Sequence, residues 1–162
     1  MANCYCSILT SAQGIFDGTH KLSTSGSLST TRNCYVARLD SSSELVLCAS
    51  GSKPYGLFYD HLDLIYHVTV GADYDCININ SYNSGKYTNV AIGNYMVLVG
   101  DDAFVEGSVP AQNATLYEGA GGKMTVTAGT YKIGRCVNAA VTVQHRAGAY
   151  SAAMLQMEFD HL

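Results

Sequence analysis

From Asn33 onward the apolar residues fall into short runs, among them "CYVARL", "ELVLCA", "LFYD", "DLIYHVTV", "DCININSY" and "YMVLVG". Each run is bounded by Gly, Asn, Asp or Ser clusters. None holds a helical period over the roughly 10–12 residues an amphipathic helix needs, whereas short β-branched and aromatic runs set off by turn residues are what strands require. The C-terminal "YSAAMLQMEFDHL" adds a strict period of two: Ala153, Leu155, Met157 and Phe159 alternate with Met154, Gln156 and Glu158. Val141, Val143 and His145 alternate in the same way with Thr142 and Gln144. Composition agrees, because 16 Gly, 12 Tyr and only 14% charged residues suit strands joined by many turns better than helices. The expectation is an all-β domain, either a small β-barrel or a sandwich. Its helix content should lie below about a fifth.

The net charge is −4 and the nine Lys and Arg are scattered. A nucleic-acid binder concentrates them on one face, so no direct nucleic-acid contact is expected. No run of 18 apolar residues is present, so no membrane span is expected. "MANCYCSILTSAQ" has no basic stretch ahead of its apolar residues, so no secretory leader is expected. With that context, Cys4, Cys6, Cys34, Cys48, Cys76 and Cys136 read as reduced, small apolar packing residues rather than a disulfide framework.

Two units are expected along the chain, an extended N-terminal arm over 1–31 and a β-domain over 32–162. The arm is rich in Ser, Thr and Gly and is too small-residued to build a core alone. Its one apolar patch, "CYCSIL", places Cys4, Cys6 and Ile8 on one strand face and leaves Tyr5 and Leu9 to cover neighbours. Within the domain, residues 35–60 are echoed by 115–138. Each copy runs strand, polar turn, strand, small turn, and then a step through glycine into a further strand, Gly56 in one copy and Gly134 in the other. The echo decides the reading of "YEGAGGKMT" at 117–125. A phosphate-binding loop needs G-x-x-x-x-G-K-[ST], but Met124 follows Lys123 and Tyr117 stands where the first glycine belongs. Gly119 to Gly122 instead sit where "DSSS" sits in the first copy, as a hairpin turn that uses glycine for positive φ. Gly56, Gly122 and Gly134 are accordingly expected at turns.

No catalytic, metal or cofactor motif stands out. "FDGTH" at 16–20 is a single short motif and reads as a surface turn. His61 and His67 share a strand face but would stand about 20 Å apart at the strand rise, too far to share a metal. No G-x-S-x-G elbow marks a nucleophile. The expectation is a protein that is not an enzyme and needs no cofactor or metal.

The stretch "VEGSVPAQNATLYEGAGGKMTVTAGTYKIGRCVNA" resembles the head-decoration, or cement, proteins of tailed bacteriophages. The resemblance is carried by Gly107, Leu116, Tyr117, Gly122, Lys123, Val126, Ile133, Gly134 and Val137, with Gly56 and Leu57 matching an earlier step. It implies a non-enzymatic β-domain that docks, often as a homotrimer, on the major capsid protein at the outside of an assembled shell and stabilises it. The protein would reside on the virion exterior after assembly in host cytoplasm. Docking is then expected to run through the arm, at Cys4, Tyr5, Cys6, Ile8 and Leu9, by adding a strand to a neighbour's sheet edge. The alternative is a phage tail, baseplate or fibre component that binds carbohydrate or a host surface.

Overall fold

The alternating runs become strands, and the longest of them lie where the period of two is cleanest. The computed structural model describes residues 6–9, 16–24, 34–59, 85–145 and 148–159. Among these residues the strands are β1 (Cys6–Ile8), β2 (Phe16–Asp17), β3 (Val36–Leu39), β4 (Leu45–Leu47), β5 (Gly56–Phe58), β6 (Val90–Ala91), β7 (Asn94–Val99), β8 (Thr115–Glu118), β9 (Met124–Thr125), β10 (Lys132–His145) and β11 (Gly148–Glu158). Helical backbone among them is confined to two three-residue 3₁₀ turns, Asp101–Ala103 and Ala120–Gly122.

The strands form two antiparallel sheets, ordered β1-β7-β11-β10-β8-β9 and β2-β6-β5-β3-β4. Neither closes on itself. Each ends in strands of two or three residues, too short to bridge to the opposite edge, so the barrel form gives way to two open sheets of sandwich type. Burying apolar side chains between the sheets supplies the main stabilising term. Val36, Leu57 and Ala91 of the second sheet belong to one cluster with Val97, Leu116, Ile133 and Leu155 of the first. The alternation on β11 is realised: Ala153, Leu155, Met157 and Phe159 are buried, while Met154, Gln156 and Glu158 are not fully covered.

The second sheet is buried on both faces. Ala37, Leu45, Phe58 and Val90 point away from the shared core into a second cluster that includes Leu22 and Tyr35. That explains the sequence "GLFY", a continuous apolar run without alternation, as a strand with no solvent face.

The internal echo is a structural repeat. In the first copy β3 is central, with its hairpin partner β4 on one side and β5 on the other; in the second, β8 is flanked by β9 and β10 in the same way. One copy ends each sheet. Gly119–Lys123 joins β8 to β9 as a hairpin, with Gly121 and Gly122 at φ +65° and +77°, as the glycine reading requires. Gly56 and Gly134 behave differently from expectation. They are strand residues, the first of β5 and the third of β10, not turn residues. Glycine stands there because a β-carbon would come within 2.4 Å of the Ala91 carbonyl oxygen at Gly56, and within 2.3 Å of the Gln156 oxygen at Gly134. The repeat thus extends to the same close approach at equivalent positions.

The described parts of the segment 1–31 are integrated into the sheets. β1 pairs with β7 (Cys6 opposite Val99, Ile8 opposite Val97), β2 pairs with β6, and Leu22 bridges to Leu45. A disulfide joins Cys6 of the first sheet to Cys34 at the approach to β3 in the second. This corrects the expectation of reduced cysteines, whose sequence spacing carries no record of which strands lie face to face. Cys48 and Cys136 do match it, as free thiols buried in the core.

Candidate docking surface

The residues expected to contact a capsid divide sharply. Cys4 and Tyr5 lie outside the described residues. Cys6 and Ile8 pack against the core, and Cys6 is covalently tied to Cys34. Only Leu9, 47% exposed, faces outward as expected, and its N–H is already bonded to the Met96 carbonyl oxygen. The described part of this patch therefore serves the protein's own sandwich.

A different element offers a surface. β10 and β11 are far longer than their neighbours, so they outrun them. On one side β8 accompanies β10 through Arg135, and the chain just before β8 bonds to Cys136 through Asn113 N–H and Ala114 O. On the other side β7 accompanies β11 only from Ala153 to Glu158. Beyond these limits the two strands continue as a ribbon, paired in register from Val141 opposite Ala152 to His145 opposite Gly148. Register shifts at Cys136, Asn138 and Val141 lie at its base, and the Asn138 side chain accepts the Ala140 N–H there, so the ribbon begins at a bulged corner. Asn138, Ala140 and Thr142 are exposed, while Val137, Ala139, Val141 and Val143 are half-buried. Between Arg135 and Arg146 no charged residue and no proline occurs. Among the described residues, the outer edge of β10 over Val141–His145 has no strand beside it. Sequence reading found the two alternating runs but not the ribbon. The available signal was the alternating run ending at His145 and the segment "YSAAMLQMEF" starting at Tyr150, separated only by "RAGA", with no charge on the first.

The polar groups inside the domain are committed to holding loops. Glu118 is fully buried, and its carboxylate accepts N–H bonds from Gly51 (3.0 Å), Thr130 (3.1 Å) and Tyr131 (2.9 Å), which ties the small turns of both repeat copies together. Burial first, and then the negative charge of Glu118, push the Cys48 thiol up to about 12, so it stays protonated near neutrality. At "FDGTH", Asp17 accepts the Thr19 N–H at 2.8 Å and the Tyr55 hydroxyl, and His20 Nε2 lies 3.8 Å from it. His20 Nδ1 donates to the Ser43 carbonyl oxygen at 2.9 Å. The reading of the motif as a surface turn is corrected in part, because Phe16 and Asp17 are strand β2 and only residues 18–20 form the surface connection after it; the cluster clips that connection to the β3–β4 turn. Tyr55, raised to about 12 by burial and by its bond to Asp17, is held neutral and is no base at neutral pH. Burial would raise the Asp17 carboxyl, but the bonds from Tyr55 and Thr19 outweigh it and its pKa is lowered.

One cleft of about 380 Å³ lies between Lys53 and Pro54, which lead into β5, and Tyr131, Lys132, Glu158 and Phe159. Lys132 and Glu158 form an ion pair of 2.9 Å across it. Among the described residues no group of three His, Cys, Asp or Glu side chains converges as a metal site, and no helix is long and apolar enough to cross a membrane. No protein family, curated protein or solved structure matches the chain.

Proposed function

We propose that the protein is a non-enzymatic structural component of a phage virion that docks on the outer surface of the assembled capsid, against the major capsid protein, and stabilises it. The observation that carries this reading is the β10–β11 ribbon, an uncharged strand edge presented beyond the body of the sandwich. Such an edge forms main-chain hydrogen bonds with another extended segment and places little demand on that segment's sequence, which suits a protein whose work is assembly. A globular protein that works alone usually guards a long edge with lysine, proline or inward-pointing charge. The resemblance of residues 33–60 and 104–160 to decoration proteins points the same way.

The test is to add purified protein to shells assembled without it, image them, and heat both preparations. Ordered density on the shell exterior and a higher temperature of shell rupture are expected; protein that stays in the supernatant overturns the reading. The cleft supports a second reading as a tail or fibre component. Its ring-bearing walls at Tyr131 and Phe159, beside the Lys132–Glu158 pair, are the kind of surface a sugar stacks and hydrogen-bonds on. Glycan binding that is lost in Tyr131→Ala, together with no shell occupancy, would favour it.

A further inference from the structure

From the ribbon we infer that the occupant of the β10 edge left open among the described residues is the same edge of a second copy of this chain, paired antiparallel about a two-fold axis to give a four-stranded sheet across two molecules. The inference deepens the assembly reading above and rests on it for biological purpose, but not for its test.

The first ground is the state of the edge. From Val141 to His145 the register with β11 is regular, so alternate N–H and C=O groups point outward in a row. Ala140, just before this stretch, has its N–H taken by Asn138, so the donor row begins where the bulge ends. The second ground is charge. The molecule carries −4 overall, so most surfaces of two copies repel when brought together. The stretch 136–145 holds no Asp, Glu, Lys or Arg. An antiparallel strand laid against itself therefore has no like charges opposite one another in any register, and like charges are the common obstacle to self-pairing. A partner of opposite charge, by contrast, would find no charge there to recognise. The third ground is symmetry. An antiparallel edge pair is self-complementary, so one patch supplies both sides of the contact, and the association closes as a dimer instead of growing into a fibre.

Size sets the strength. Five residues of paired edge fall well short of the area of a standard stable interface, so the contact is weak in dilute solution and grows with local concentration. Copies held side by side on a shell would supply that concentration, and the contact would then brace neighbours to one another.

The experiment places a nitroxide label on Thr142→Cys, an exposed position of β10, and measures intermolecular distances by pulsed electron resonance at several protein concentrations. Strands pair about 4.8 Å apart, so a population below roughly 25 Å that grows with concentration is expected. The same label in a Val141→Lys, Val143→Lys background should lose that population while circular dichroism remains that of the folded protein. If those lysines unfold the ribbon, Ala140→Glu at its exposed base serves instead. Background decay alone at the highest concentration overturns the inference. So does a population only at longer distance, which would mean association through another face. Shell occupancy of the lysine variant separates the two proposals: a variant that still decorates shells but has lost the short distance supports self-pairing through the ribbon and assigns shell docking to another face, whereas wild-type protein that pairs in solution but never decorates shells removes the capsid role alone.

Discussion

The Glu118 carboxylate accepts three backbone N–H bonds out of reach of solvent, from Gly51 and Thr130 at one oxygen and from Tyr131 at the other; in Glu118→Gln one oxygen remains to accept, the charge is lost, and the N–H at the other position faces an NH₂ group that cannot satisfy it. Hydrogen bonds to a buried charge are worth more than neutral ones, and orphaned donors carry their full desolvation cost. Glu118→Gln is expected to lower the unfolding free energy by about 2–4 kcal/mol in urea titrations. Lys123→Ala, in the same hairpin, is expected to cost less than about 1 kcal/mol. Its ammonium pairs with Asp102 at 3.4 Å and lies over the Tyr35 ring, so it is less exposed than the sequence suggested, yet it remains solvent-screened. Acid acts on two further carboxyls. Burial tends to raise Glu106, but the Thr125 hydroxyl and the Val126 N–H bind its carboxylate and its pKa is lowered, as for Asp17. Both native values lie below the ordinary 4.5 and 3.8, so their contribution is present above those values and is lost as pH falls through them. Thermal melts from pH 6 to about pH 3 should show the melting temperature falling mainly below about pH 4.5, and the slope should be shallower in Glu106→Gln.

At the scale of elements, the glycines of the repeat allow a sharp expectation. A β-carbon at Gly56 or Gly134 meets a carbonyl oxygen of the adjacent strand, which is backbone and cannot step aside without breaking the ladder. Gly56→Ala and Gly134→Ala should each destabilise the protein by roughly 2–4 kcal/mol or abolish soluble expression, while Gly93→Ala, with open space around it, should cost only the strain of its positive φ. The same elements show what sequence can reveal. The β8–β9 hairpin was legible because its turn chemistry is local, and β11 was legible because the seven residues from Ala153 to Phe159 alternate with a period of two. The sense of the glycines was missed because a turn and a close strand approach both call for glycine, and the distinction lies in a neighbour from another part of the chain. The ribbon was missed for a related reason. Its strands could be read, but where β7 and β8 stop beside them depends on register shifts that no local pattern encodes. Of the expected docking residues, Cys6 and Ile8 read as a sticky patch, and the surface they are half-buried against is the protein's own core, a neighbour from elsewhere in the chain that the local pattern does not name.

At the scale of the whole molecule the two sheets are held by apolar burial between them and, among the described residues, by the covalent link Cys6–Cys34. Its position makes it consequential. β1 is a strand of three residues that, among the described residues, is bonded on one side only, and such a strand frays readily on its own. The disulfide closes a loop spanning 28 positions of sequence and removes from the unfolded chain the freedom to separate these points. The chain-entropy account puts this at about 3.5 kcal/mol. For a domain of this size that corresponds to a melting temperature lower by on the order of 10 °C when the bond is absent. Cys6→Ala with Cys34→Ala should show that loss, and a reducing agent should produce it in the native sequence while leaving the double variant unchanged. The loss should also have a location. Amides on the β1 side of β7, around Leu98, should exchange faster in the reduced protein, while those of β3 beside Leu47 and Gly56 in the second sheet keep their rates. Equal melting of oxidised and reduced protein would show that packing alone holds β1 in place; uniform acceleration across both sheets would show that the bond stabilises the fold globally and does not specifically clamp its N-terminal edge.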